Sequence, residues 1–128
     1  MSDPSTRLLV VVINDPERLD EVLTGLLELG VTGATIVDSE GMGRILSRDT
    51  PVFAGLQAAV VDRPRNVTIL SVVEEARVDA VIARVQEVVG DLSAPSTGIV
   101  FVLPVVRVVG LAPVLVHAKD RVDEPGGA

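Results

Sequence analysis

The chain has 128 residues, a formal net charge of -7, and no cysteine, tryptophan or tyrosine. That length fits one domain, the missing thiols exclude disulfides and thiolate chemistry, and the negative charge, with only Phe53 and Phe101 available for base stacking, argues against a nucleic-acid partner. An apolar share of 48% excludes a disordered chain, while the longest apolar run, Leu8 to Ile13, is far too short to cross a bilayer.

Leu8 to Ile13 reads as the first strand, buried on both faces. Asp15-Pro16 supplies an N-cap and a proline at the first helical position, and Leu19, Val22, Leu23, Leu26 and Leu27 then recur at helical spacing until Gly30. Thr35 to Asp38 is the second strand. Beyond the segment 41 to 65, Val67 to Val73 is the third strand, and Val78, Val81, Ile82, Val85 and Val89 form a second helical stripe that stops at Gly90. A loop of small and polar residues from Asp91 to Gly98 leads to a last strand, Ile99 to Leu103. Pro104 interrupts it, and extended chain is expected to resume at Val105 to Val109.

Two β-α-β units in tandem specify an α+β, ferredoxin-like double β-α-β sandwich, with a four-stranded antiparallel sheet and two helices on one face. The domain is expected over residues 7–117, with a mobile loop at about 44–65 and loosely ordered ends at 1–6 and 118–128. Residues 1–6 lack the features of a secretion signal, so a cytoplasmic protein without membrane insertion is expected. Strands such as LLVVVI and IVFVL are apolar on both sides, whereas the helices cover only one. The other face therefore needs a covering, which an oligomer assembled through the open sheet face supplies.

The stretch Gly30 to Leu46 places a strand between two glycine-rich turns and ends in Gly41-Met42-Gly43-Arg44. Glycines let backbone amides approach a ligand, and arginine adds a forked cation. Between Arg44 and Arg65, arginines 44, 48, 63 and 65 outweigh Asp49 and Asp62 and leave a local charge of +2 in an acidic chain. The same segment contains Pro51 to Val60, apolar enough to form a short helix or dock on another protein. Phe53, Leu56 and Val60 would either fold back on the protein itself or meet a partner.

With these features the chain resembles the P-II family of signal-transduction proteins, which regulate nitrogen and carbon metabolism. The resemblance covers roughly residues 7 to 112. It is carried by Leu19-Asp20 through Gly30-Val31-Thr32-Gly33, by Gly41-Met42-Gly43-Arg44, and by Thr97-Gly98-Ile99-Val100-Phe101-Val102 followed by Val105 to Val109. It implies a homotrimer with sheets facing inward and adenine nucleotides in clefts between subunits. Carried over by position, Thr35 and Val72 would line the base pocket. Gly41, Met42 and Gly43 would offer backbone groups, Arg44 would face phosphate, Arg65 would add a cation, and Gly98 would belong to a second loop.

Departures from the family pattern bear on the ligand. Ile99 stands where a phosphate-binding lysine is usual, Gly110 and Ala112 stand where two arginines are usual, and Ile45 replaces a glutamine. Each missing charge-assisted hydrogen bond removes about 1.5 to 3 kcal/mol. ADP, AMP or another small anion thus fits better than ATP, and no cofactor is required. The absence of tyrosine excludes regulation by nucleotidylation of a loop tyrosine.

No Ser/His/Asp set, acidic dyad or metal-ligand spacing is visible, so an enzyme is not expected. His117, the single histidine, reads as solvated. Asp15, Glu17, Asp20 and Glu21 complement a helix dipole, as do Glu74 and Glu75. Ser93, Ser96 and Thr97 read as an ordinary loop. The reading is thus a trimeric regulator that senses a nucleotide or small anion and controls a target protein through residues 44–65. Two alternatives stay open. One is a trimer without ligand control that binds a partner, such as a membrane transporter, through the same segment. The other is an ACT-like amino-acid-binding module, for which Asn14-Asp15-Pro16 lacks the expected glycine.

Overall fold

In the computed structural model, the described residues are 5–49 and 65–111. They form β1 (Thr6–Ile13), α1 (Leu19–Glu28), β2 (Thr35–Ser39), α2 (Met42–Asp49), β3 (Asn66–Glu74), α3 (Glu75–Val89) and β4 (Gly98–Pro104). The four strands make one antiparallel sheet in the order β2-β3-β1-β4. This is the ferredoxin-like double β-α-β arrangement that the alternation of patterns specifies.

Alternation along the central strands sorts the core from the opposite face. Leu9, Val11 and Ile13 of β1 and Ile69 of β3 are fully buried, with Val67 and Val73 close behind. They meet Val22 and Leu26 of α1 and Val78, Val81 and Val85 of α3 in one cluster. The intervening residues project from the other side of the sheet. There the register places Leu8 beside Val72 and Leu103, Val10 beside Leu70 and Phe101, and Val12 beside Thr68 and Ile99. Phe101, Ile99 and Leu103 are exposed on this face, as is Val37 of β2.

Local chemistry sets the helix ends. The Asp15 carboxylate accepts the Glu17 N–H at 3.1 Å, and Pro16 opens a short 3-10 turn, Pro16–Arg18, that leads directly into α1. At its far end Val31 N–H donates to Leu26 O at 2.9 Å and Gly30 N–H to Leu27 O at 3.0 Å, the paired bonds of a Schellman close. Arg77 on α3 then donates to the Leu29 carbonyl at 2.5 Å. One side chain thereby ties the two helices together where α1 has run out of its own donors.

The structure departs from the sequence reading in two places. Gly41 to Arg44, read as a glycine turn opening a loop, instead lead into α2, whose first bond runs from Ile45 N–H to Gly41 O at 3.2 Å. Arg44 and Glu40, four residues apart, form an ion pair across that first turn, and Arg44, Ile45 and Leu46 tolerate helix well. The second difference follows Pro104. Val105 to Val109 add no strand to the sheet: Val105 N–H donates to Thr6 O at 3.2 Å, and Val106 and Val109 lie exposed. Pro51 to Val60, Asp62, Arg63, Ala112 and His117 lie outside the described residues.

Candidate functional site

The residues expected to hold a ligand fall into three groups. At the end of the sheet where β2 finishes and β3 begins, Ser39 pairs with Asn66. This brings Arg65 to the same corner as Gly41, Met42, Gly43 and Arg44. Thr35 and Val72 lie farther along the open face, Thr35 opposite Leu70 and Val72 two positions beyond it. Gly98 opens β4 opposite Ile13. It is at the same end as Gly41 but on the opposite edge, three strand spacings or about 14 Å away.

The corner beside Gly41 is built from polar groups. Ser39 Oγ donates to Asn66 Oδ1 at 2.5 Å, which leaves the Thr68 hydroxyl, 2.9 Å away, to donate to Ser39. With its oxygen held, the Asn66 carboxamide turns its nitrogen toward Gly41, where a Cβ would lie 3.5 Å from Nδ2. Arg44 Nη1 meets Glu40 Oε2 at 2.7 Å, an ion pair without hydrogen-bond alignment. Arg65 is exposed beside this corner.

Val72 lines a small cleft of about 70 Å3 with Gly30, Val31, Thr32, Gly33, Val73, Glu74, Arg77 and Leu111. Its walls are mainly apolar, and Thr35 is not among them. Ser71 anchors the glycine segment from below, donating to Gly33 O at 2.6 Å. The cleft is far smaller than a nucleotide, whose sites enclose several hundred Å3.

Gly98 has a structural explanation. Its φ of 151° and the closeness of the Val12 carbonyl leave no room for a Cβ. Main-chain crowding between β1 and β4 requires glycine there whatever the ligand.

Sequence reasoning missed Glu40, Ser39, Asn66 and Thr68. The spacing of Glu40 and Arg44 was a usable signal once a helix is placed at Met42. The Ser39-Asn66 contact spans 27 positions and depends on the β2-β3 register, which periodicity alone does not give. Among the described residues no group of three His, Asp or Glu side chains could hold a metal ion, and no helix is long and apolar enough to cross a membrane.

Residues 7–113 match the family model described as nitrogen regulatory protein P-II. The chain belongs to the P-II family. It is 33% identical over 123 residues to the nitrogen regulatory protein P-II of Azospirillum brasilense, covering 92% of this chain and 95% of that one. In fold it is similar to Arabidopsis thaliana PII bound to citrate, with a TM-score of 0.58, 24% identity, and 81% and 80% of the two chains covered. The P-II resemblance and the ferredoxin-like fold read from the sequence are thereby established, and the protein is a regulatory signal-transduction protein of this family.

Proposed function

We propose that this P-II protein works as a homotrimer. In this reading it senses an adenine nucleotide or another small anion in clefts between subunits and reports occupancy to a target protein through residues 44–65. The observation that carries the reading is the placement of Gly41 to Arg44 and of Gly98 at one end of the sheet but on opposite edges. Within one copy these groups stay apart. They face a common ligand when the β2 edge of one copy meets the β4 edge of the next.

The apolar open face supports such assembly. Burying several hundred Å2 there contributes on the order of 10 kcal/mol per subunit before ordering costs, at about 25 cal/mol per Å2. The 70 Å3 cleft at Val72 is also too small alone and would become a base pocket only when a neighbouring copy walls it. With Ile99, Gly110 and Ala112 at positions where the family carries cations, ADP or AMP suits the site better than ATP. The protein's role is regulatory rather than catalytic, and it acts in the cytoplasm.

Calorimetry against ATP, ADP, AMP, cyclic AMP and citrate, with native mass spectrometry for subunit number, tests this. Heat and stabilisation with ADP or AMP on a trimer are expected. Silence with every ligand would reject small-molecule sensing. A pull-down that needs residues 45–62 yet ignores nucleotide would instead favour a ligand-independent partner, such as a membrane transporter.

A further inference from the structure

This inference concerns the regulation of the same anion-binding corner and rests on the small-anion reading of Gly41 to Arg44. Arg44 is already matched by a carboxylate of its own chain: Glu40 Oε2 lies 2.7 Å from Nη1, and the two side chains are 26% and 25% exposed. Partial burial lowers the local dielectric and strengthens such a pair relative to a fully solvated one. Beside the pair, the Asn66 carboxamide is held by Ser39 with its nitrogen turned toward Gly41, and Arg65 stands exposed next to Asn66. The corner therefore offers donors to an anion while Arg44, its half-buried cation, is engaged.

An incoming phosphate or carboxylate needs the same guanidinium fork that Glu40 contacts. If both stayed, two like charges would crowd one cation. We propose that Glu40 is an internal competitor, a specificity-determining side chain that occupies Arg44 and must be displaced before an anion binds. Small free anions then bind weakly, because they bring nothing else to offset the displacement. Anions carried on a larger body, with an aromatic or apolar part that reaches the cleft at Val72, are selected. Displacement also breaks the first-turn contact of α2, so occupancy acts directly on the helix that leads into residues 50–64.

The test uses the full chain and two probes, inorganic pyrophosphate and ADP, titrated by calorimetry into wild type, Glu40→Gln, Glu40→Gln/Arg44→Gln and Asp79→Asn. Asp79, exposed on α3 toward the end of the sheet opposite this corner, controls for the loss of one negative charge away from the pair. Glu40→Gln should bind both probes about fivefold tighter, the factor set by an ion pair of about 1 kcal/mol. The double variant should lose that gain, and Asp79→Asn should change affinity by less than about twofold. Glu40→Ser serves in place of Glu40→Gln if the latter fails to fold. Equal or weaker pyrophosphate binding by Glu40→Gln overturns the proposal, as does an equal gain from Asp79→Asn or no pyrophosphate binding by any variant. A pyrophosphate gain with ADP inert throughout would sustain the competitor role and remove the nucleotide reading.

Discussion

The Ser71 hydroxyl, in the middle of β3, donates to the Gly33 carbonyl just before β2 at 2.6 Å. Ser71 is 3% exposed on the core side of the sheet, among Val67, Ile69 and Val73. A polar side chain there is tolerated because it satisfies a carbonyl that no strand partner reaches. Ser71→Ala should therefore cost about 1 to 2 kcal/mol. In urea denaturation the midpoint should fall with an unchanged slope, and the glycine segment at Gly30 to Gly33 should exchange its amide hydrogens faster.

Gly98→Ala should be more damaging, because a Cβ there would collide with the Val12 main chain, which cannot yield without separating β1 from β4. A loss of at least about 2 kcal/mol is expected. The loss must appear in thermal denaturation without any ligand present. A stable Gly98→Ala protein defective only in binding would refute the structural account of this glycine.

Gly25→Ala is a second steric test. Its Cβ would lie 2.6 Å from Arg84 Cγ and 3.2 Å from Cδ, at the root of that side chain rather than its tip. Relief requires Arg84 to change its first torsion, giving up exposed pairs with Glu28 at 2.6 Å and Glu87 at 3.3 Å, or α1 and α3 to move apart. Alanine inside a helix returns about 1 kcal/mol, which offsets part of this. A net loss of about 1 to 2 kcal/mol is expected in urea denaturation.

Phe101→Asp tests the open sheet face. Phe101 stands opposite Val10 and is 45% exposed in one chain. A carboxylate there would be buried unpaired in an oligomer and solvated in a monomer. Sedimentation should show a single subunit with near-native helix content by circular dichroism. An assembly of undiminished size would place the contact between copies elsewhere.

The four strands and helices α1 and α3 were legible because each carries its own local signal. Leu8 to Ile13 is too short and too β-branched for a helix, and the helical stripes end at Gly30 and Gly90, where the helices do end. Helix α2 was not legible. Its apolar residues give no stripe long enough to register, and it is favoured by the Glu40-Arg44 pair, which becomes visible only once the helix exists. Val105 to Val109 read as extended because they are valine-rich. Val105 N–H donates to the Thr6 carbonyl, and among the described residues no strand pairing follows it, so β-propensity had no strand partner there to act on.

The corner formed by Gly41 to Arg44 and Arg65 was partly legible, since glycine and arginine announce themselves in sequence. Ser39, Asn66 and Thr68 did not, because ordinary polar residues acquire meaning through register alone. Gly98 was read as a ligand-loop glycine, and crowding against Val12 accounts for it without any ligand.

Because β2 and β4 form opposite edges of the sheet, each proposed cleft draws its two walls from different molecules. Two inactive versions of this protein, one damaged at Arg44 and the other along β4, would then complement each other when co-expressed. A mixed ring can join the intact wall of one version to the intact wall of the other, recovering a working seam that neither version makes alone.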